Sequence, residues 1–367
     1  MKIIQSGSVY TFHDDSIQTH NRLPAHTYSV SYDQRKGCFL TAHEDISVCE
    51  KAYGIQNEKV VKVMGSFEKS ERSIGVILSG DKGIGKSMFA KKLCVKAMEC
   101  GLPVILVEEC VPGIAKFIES INQECIVLFD EFDKIFKSNS DEEDAQAKLL
   151  SLFDGTAGGK KLFIVTCNEL YGLNDYIVNR PGRFHYHFRF EYPTSDDIKE
   201  YLTDKLDPKY YEEIPNVVGF SQKISLNYDC LRSIAFELNQ GVSFKEAIAD
   251  LNILNVSTES YNVVLHFENG MTLHHFRYNV NLFDNDRNYQ WVTLYNDSGT
   301  SVADVKFDKG FVTFDALRNI VVINSDGLIM DYDDYDEDSK EVQIYKSLKP
   351  AYMTFAKCHN RSLHYNL

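Results

Sequence analysis

The sequence predicts an α/β protein whose parallel sheet carries helices on both faces, followed by a small helical module and a C-terminal all-β domain. Three observations predict this order. Short apolar runs alternate with helical spacing through residues 57–166, which is typical of a parallel sheet. Helical patterns without strands follow Pro193. From Tyr261 onward, apolar and polar residues alternate as they do in half-buried strands.

The α/β region contains four apolar runs that predict buried strands, at 74–78, 103–107, 125–129 and 162–166. Helical spacing predicts a helix from Asn57 and further helices at 86–100, 114–121 and 145–153. The order strand, helix, strand is that of a doubly covered parallel sheet.

Changes in the spacing of apolar residues along the chain suggest five parts: an N-terminal irregular or β segment at 1–50, a core at 51–192, a helical lid at 193–254, an all-β domain at 255–346 and a tail at 347–367. Thr194 is placed to cap the first lid helix. Asn269 and Gly270 predict a hairpin turn in the β domain. The aromatic residues around Trp291 are expected in the core of that domain.

The composition excludes several classes of protein. With 39 basic and 53 acidic residues the net charge is −14, which disfavours nucleic acid as a partner without forbidding a local basic patch. Apolar runs are too short to cross a membrane, and the N-terminus does not resemble a signal peptide. The nine cysteines are scattered, which suggests free thiols and a cytoplasmic location.

A glycine-rich segment follows the first predicted buried strand, and it consists of Gly80, Asp81, Lys82, Gly83, Ile84, Gly85, Lys86 and Ser87, with Met88 next. This spacing is typical of a P-loop, whose backbone N–H groups surround the phosphates of ATP at the positive end of a helix dipole. We expect Lys86 to contact the β- and γ-phosphates and the Ser87 hydroxyl to hold Mg²⁺. The flanking strand and helix disfavour the alternative of a glycine-rich turn.

Two carboxylates, Asp130 and Glu131, end the predicted strand at 125–129. In an open α/β sheet ligands bind at the carboxyl ends of strands, so both acids should face the phosphates. Asp130 is expected to hold Mg²⁺ through water, and Glu131 to orient and deprotonate the attacking water. The alternative is a strand that ends in solvated acids. Asp133 is expected to be an acid of the surface or of a subunit interface.

Four segments resemble the AAA+ ATPases, particularly their AAA branch, in order and spacing: 129–133 (FDEFD), 149–155 (LLSLFDG), 163–168 (FIVTCN) and 179–184 (NRPGRF). The resemblance covers about residues 51–254. It implies a P-loop AAA+ fold with a helical lid, ATP hydrolysis with Mg²⁺, and assembly into a homo-oligomeric ring, expected to be a hexamer. The compact size and unusual terminal domains are also similar to stand-alone AAA ATPases of bacteriophages.

The resemblance also implies roles for particular residues. Asn168 corresponds to the sensor-1 residue that places the attacking water, and Arg180 and Arg183 to arginine fingers that reach the γ-phosphate of a neighbouring subunit. A guanidinium suits that role because it is planar and always charged. The alternative for both arginines is a pair of surface salt bridges. Tyr53 and Gly54 resemble the segment that packs on adenine.

Two features depart from the family pattern. Substrate-threading members carry an aromatic residue in the loop that corresponds to 108–113, and this chain has none there. Threading of a polypeptide by the usual grip is therefore in doubt. Arg232 lies where a sensor-2 arginine can occur, but its sequence context differs, which favours an exposed helix arginine.

The leading functional hypothesis is an ATP-dependent remodeller of a protein or protein–nucleic-acid complex. The N-terminal segment and the β domain are then the parts expected to recognise an unknown protein partner. One alternative is a DNA-processing AAA+ factor, similar to a helicase loader or clamp loader. Another is a scaffold that binds ATP to assemble and hydrolyses it slowly, which Glu131 and Asn168 disfavour.

Overall fold

The computed structural model describes residues 1–51, 53, 56–136, 146–154, 158–168, 170, 173–178, 182–222, 224–251, 253, 259–282, 289–315, 318, 320–333, 335 and 339–358. The chain forms two compact units, Met1–Phe190 and Glu191–Leu367. Each unit has its own hydrophobic core, and the nucleotide-site candidates lie in the first.

The first unit contains nine described strands: β1 (Lys2–Ser6), β2 (Val9–His13), β3 (Thr27–Asp33), β4 (Gly37–Ala42), β5 (Ile74–Ser79), β6 (Val104–Val107), β7 (Cys125–Phe129), β8 (Lys161–Cys167) and β9 (Phe184–Arg189). Its described helices are α1 (Gln56–Lys69), α2 (Lys86–Glu99), α3 (Ile114–Ser120), α4 (Phe132–Ile135), α5 (Leu150–Phe153) and α6 (Asp175–Val178), with a 3₁₀ turn at Ala147–Leu149. The predicted helix at 145–153 is thus shorter, because its described part divides into that turn and α5.

The core sheet has seven strands in the order β4-β3-β6-β7-β8-β5-β9, and all neighbours are parallel except β3 and β4. Every residue of β5, β7 and β8 is buried. Alternate residues of β7 enter two different clusters, since Val127 packs with α3 and α5 residues and Ile126 with α1 and α2 residues. Helices therefore cover both faces, which confirms the predicted fold class.

The N-terminal segment contributes to this sheet, although the sequence suggested a part separate from the core. Strand β3 pairs in parallel with β6, with Thr27 opposite Val104, and β4 completes the edge. Tyr28 is buried by this pairing. Strands so distant in sequence are joined by non-local contacts, which local patterns do not reveal. Among the described strands of the first unit, only those of the β1–β2 hairpin stand outside the sheet.

The second unit begins with helices α7 (Ser195–Lys205), α8 (Ile214–Ser221), α9 (Tyr228–Asn239) and α10 (Phe244–Asp250), with a 3₁₀ helix at Pro208–Glu213. Thr194 caps α7 as predicted, in a capping box with Asp197. Ser243 forms a second capping box with Glu246 at the start of α10. Side-chain caps thus fix the N-termini of these helices, because they satisfy backbone N–H groups that the helix leaves free.

An eight-stranded antiparallel sheet follows, in the order β14-β15-β17-β10-β11-β12-β13-β16. Its elements are β10 (Glu259–Phe267), β11 (Thr272–Val280), β12 (Tyr289–Tyr295), β13 (Ser301–Asp308), β14 (Val312–Asp315), β15 (Ile320–Asn324), β16 (Leu328–Asp331), α11 (Lys340–Lys346) and β17 (Pro350–Lys357), with 3₁₀ turns at Lys309–Phe311 and Ser325–Gly327. Asn269 and Gly270 lie in the β10–β11 turn, as predicted.

The predicted tail at 347–367 is wrong for its first part, because β17 lies between β15 and β10 in the sheet. Met353 and Phe355 of this strand are buried in the β-domain core. The expectation for Trp291 is also wrong, since its side chain is 49% exposed. Lys306 lies on the adjacent strand, with Nζ 5.6 Å from the Trp291 ring centroid.

Helices α7–α10 and the β domain form one compact unit, and a partly buried ionic cluster joins them. Lys357 Nζ lies 3.2 Å from Glu259 Oε1 and donates to Ser225 Oγ at 2.9 Å. Ser225 Oγ in turn donates to Glu259 Oε1 at 2.7 Å. Burial lowers the pKa of Lys357, and Glu259 opposes that shift. The Tyr261 hydroxyl adds a 3.1 Å hydrogen bond to the Gln222 carbonyl.

We expect Lys357→Met to destabilise this unit by about 3 kcal/mol, because it leaves the Glu259 carboxylate poorly solvated and without its cation. Chemical denaturation monitored by circular dichroism measures the change. The matched control is Lys199→Met, which removes an exposed lysine 3.4 Å from Asp196 on α7 and should leave the midpoint unchanged. Equal midpoints for both variants would show that the cluster does not stabilise the unit.

Candidate nucleotide-binding site

The glycine-rich segment forms a tight loop between β5 and α2. Gly80 has φ +137° and Gly85 has φ +101°, values that disfavour any residue with a side chain. A Cβ atom on Gly80 would lie 2.4 Å from the Phe190 carbonyl oxygen. No side chain caps the N-terminus of the 14-residue helix α2, and no acidic residue lies in its first turn. An anion can therefore approach the first-turn N–H groups.

Lys86, the first residue of α2, turns its ammonium back into this loop. Its side chain is 7% exposed, and Nζ donates to the carbonyl oxygens of Gly80 at 2.6 Å and Asp81 at 2.5 Å. Nζ also donates to Asn168 Oδ1 at 3.1 Å. Burial lowers the pKa of Lys86, while nearby acidic groups oppose that shift. The cation thus lies where phosphate charge would be neutralised.

Asp130 and Ser87 meet at the carboxyl end of β7, as predicted. Asp130 Oδ1 lies 3.4 Å from Ser87 Oγ and accepts a 2.5 Å hydrogen bond from the Thr166 hydroxyl. A hydroxyl and a carboxylate are hard oxygen ligands of the kind that Mg²⁺ prefers. The pair therefore fits the predicted magnesium site.

Glu131 directly follows and takes a left-handed backbone conformation, with φ 51°. This conformation is uncommon for a residue with a side chain and recurs at functional sites. The Glu131 N–H donates to Thr166 Oγ1 at 2.8 Å, which fixes the turn. Its carboxylate accepts a hydrogen bond from Lys134, and that bond is the main cause of its lowered pKa. The side chain is 52% exposed.

Asn168 follows β8 and joins the P-loop to α4. Besides its side-chain bond to Lys86, its backbone N–H donates to Asp133 Oδ2 at 3.1 Å. Asp133 Oδ1 is buried and has no hydrogen-bond partner in the described part of the chain. The expectation that Asp133 is a surface acid is therefore wrong for its carboxylate, which points toward the end of β8, whereas the alternative of an interface acid stays a prediction.

The predicted arginine fingers have different outcomes. Arg183 is 7% exposed, and its guanidinium bonds Asp154 and the Tyr176 carbonyl oxygen within its own subunit. Arg180 lies outside the described residues. Arg232, on α9, is 58% exposed and lies 3.7 Å from Asp229, as the interpretation of an exposed helix arginine expects.

The remaining predicted site residues differ in their exposure to solvent. Asp81, Lys82 and Ser87 are exposed, Ile84 is buried, and Gly83 and Met88 are half-buried. Tyr53 is buried, with Lys51 Nζ 5.2 Å from its ring centroid. Gly54 lies outside the described residues, so the adenine-packing role of these two residues stays a prediction.

Two residues of the site were missed as functional candidates. Thr166 bridges Asp130 and Glu131, and Asp133 holds Asn168. Both occur within the motif segments, but only the pairing of β7 with β8 brings Thr166 to the carboxylates. A polar residue inside an apolar strand, one position before its end, is the signal that was available for Thr166.

The fold and these side chains define a P-loop nucleotide-binding domain. Residues 76–192 match the family model described as "ATPase family associated with various cellular activities (AAA)". Residues 76–192 therefore form an AAA ATPase domain, which implies ATP binding. The match covers most of β5 and all of α2, β7 and β8, the elements that carry the loop and both carboxylates.

Curated relatives are similar over part of their length. Protein mac-1 of Caenorhabditis elegans is 24% identical over 179 residues, covering 41% of this chain and 22% of mac-1. The ATP-dependent zinc metalloprotease FTSH 9 of Oryza sativa subsp. japonica is 27% identical over 187 residues, covering 44% and 23%. FTSH 11 of Arabidopsis thaliana is 27% identical over 203 residues, covering 51% and 24%. The chain thus spans less than a quarter of these relatives.

Within the described ranges, no helix combines the length and apolar character that crossing a lipid bilayer requires.

We expect Thr166→Val to lower ATP turnover by about 10–100-fold, because the bridge that orients Asp130 and Glu131 is lost. Thr166→Ser keeps the hydroxyl and is the matched control, for which we expect turnover near wild type. Steady-state ATPase assays measure both, with thermal melts to verify folding. A folded Thr166→Val variant with wild-type turnover would show that the bridge does not support the reaction.

Proposed function

We propose that this chain hydrolyses ATP with Mg²⁺ at the subunit interfaces of a homo-oligomeric ring, expected to be hexameric, and thereby remodels a protein or protein–nucleic-acid complex. The observation that carries the proposal is the convergence of Lys86, Asp130, Glu131 and Asn168 at the carboxyl ends of β5, β7 and β8. Hydrogen bonds through Thr166 and Asp133 connect these groups.

Each residue of the site has a separate role in this proposal. The P-loop N–H groups and Lys86 bind the phosphates, and Ser87 and Asp130 hold the magnesium. Bound magnesium neutralises charge on the β- and γ-phosphates. Glu131 takes a proton from the attacking water, and Asn168 orients that water through its side-chain amide. For this the Glu131 carboxylate exchanges its bond to Lys134 for one to water, which its exposure allows.

A shared active site is the reason to propose a ring. The described part of one subunit presents Lys86 to the phosphates, whereas the guanidinium of Arg183 is bonded inside its own subunit. Hydrolysis would then depend on Arg180 of a neighbouring subunit, which couples turnover to assembly. This assignment rests on the family pattern at residues 179–184.

A protein substrate is favoured over DNA. The net charge of −14 disfavours a polyanionic partner. The relatives named as ATP-dependent metalloproteases act on proteins. The lid helices and the β domain form one compact unit, so a movement of the lid during the ATP cycle would carry the β domain with it. We therefore place partner recognition on the β domain and the β1–β2 hairpin.

We expect Glu131→Gln to lower turnover by roughly 10²–10⁴-fold while ATP still binds, since only the base is removed. The measurements are steady-state phosphate release and binding of a fluorescent ATP analogue. Glu71→Gln, which changes an exposed acid before β5, is the control and should match wild type. Equal turnover for Glu131→Gln and wild type would reject the enzymatic function.

We expect the ATPase rate per subunit to rise steeply with protein concentration as rings form. Arg180→Ala should assemble to the same mass in light scattering yet turn over roughly 10³-fold more slowly, because the finger is supplied in trans. A monomer that hydrolyses ATP at the full rate, with Arg180→Ala equally active, would exclude shared active sites.

A further inference from the structure

Arg183 forms an extended set of bonds with two neighbouring segments of its own subunit. Its Nε and Nη2 donate to the two carboxylate oxygens of Asp154, the second bond measuring 2.7 Å. Its Nη1 donates to the Tyr176 carbonyl oxygen at 2.9 Å. The guanidinium thus joins the end of α5 and helix α6 to the start of β9. Bidentate charge-assisted bonds of this kind fix both distance and orientation.

The residues next to this pair are also in contact. Phe184 follows Arg183, Phe153 precedes Asp154, and their rings meet edge to face with centroids 5.0 Å apart. On the other side, a Cβ atom on Gly75 would lie 2.6 Å from the Arg183 carbonyl oxygen. Gly75 therefore lets the Arg183 backbone lie directly against β5. Both the side chain and the backbone of Arg183 are held by packing.

An arginine that reaches a neighbouring subunit needs free donors and an exposed guanidinium. The Arg183 side chain is instead 7% exposed, and each of its three guanidinium nitrogen atoms already donates one hydrogen bond internally. To reach across an interface it would break the bonds to Asp154 and Tyr176 and leave its packed site.

We infer that Arg183 and Asp154 form an intrasubunit clamp between α5, α6 and the start of β9 on which the trans reaction of Arg180 depends, so that Arg180 alone serves as the finger and Arg183 is a positioning residue. The inference rests on the proposed trans mechanism for the finger itself. The inference gives Arg180 and Arg183 different roles, although the family pattern implies the same role for both. Asp154, which no motif role had been given, becomes necessary for the reaction in the neighbouring subunit.

The test measures kcat and ATP affinity for Asp154→Asn, Arg183→Met, Arg180→Ala and the double variant Arg180→Ala/Asp154→Asn, all as full-length rings. Asp154→Asn is nearly isosteric and removes only charge, so it is the milder probe of the clamp. Glu99→Gln is the control, because it weakens an exposed intrasubunit pair with Lys96 at 2.8 Å on α2.

We expect Asp154→Asn to lower kcat by about 10²-fold with ATP affinity unchanged, since a small displacement of a catalytic group has that effect. Combined with Arg180→Ala it should cause no further loss, because the clamp acts through Arg180. General destabilisation would lower the rate again. Melting temperatures of Asp154→Asn, Arg183→Met and their combination form a double-mutant cycle. The double variant should be no less stable than the less stable of the two single variants.

The clamp is refuted if Asp154→Asn turns over at the wild-type rate while Arg183→Met falls as far as Arg180→Ala, since Arg183 would then act as a free finger. Additive melting shifts would refute it as well, because they show that the two side chains do not interact. Equal turnover of wild type and Arg180→Ala would instead reject the trans-finger mechanism. The melt cycle needs no ATPase activity, so it still decides whether the clamp exists.

Discussion

The Thr166 hydroxyl is the small contact on which the geometry of the site depends. It donates to Asp130 and accepts from the Glu131 N–H, so one buried oxygen fixes the carboxylate proposed to hold Mg²⁺ and the turn that carries the proposed base. It can do so because β7 and β8 are parallel neighbours that end at the same edge of the sheet. A buried hydroxyl that donates one hydrogen bond and accepts another fixes the distance between its two partners.

A second connection runs from the P-loop to α4 through Asn168. Its amide oxygen accepts from Lys86, and its backbone N–H donates to Asp133. Hydrogen bonds thereby connect the lysine proposed to bind phosphate with the asparagine proposed to orient water. Displacing any strand of the frame moves several functional groups together, which explains why the central strands are buried on both faces.

Local chemistry made most of the nucleotide site predictable. The P-loop needs glycines at particular backbone positions, and apolar runs reveal buried strands, so Lys86 and Asp130 could be placed from sequence, while the resemblance to a known family added Asn168. The pairings of β3 with β6 and of β17 with β10 could not, because they join distant segments. The internal contact of Arg183 could not be predicted for the same reason. Its family pattern is local, whereas its partner Asp154 lies 29 residues away.

The ion pairs Glu131–Lys134 and Arg183–Asp154 differ in how easily they can be broken. Glu131 and Lys134 are 52% and 38% exposed and adjacent on one helical turn, so water competes with their pairing and the contact contributes little stability. The Arg183 side chain is 7% exposed, bidentate to Asp154 and bonded to a backbone carbonyl, so breaking that contact costs much more. The weak pairing of Glu131 suits its proposed role, because the carboxylate must turn toward water. The strong pairing of Arg183 suits the proposed clamp, because this side chain must stay in place.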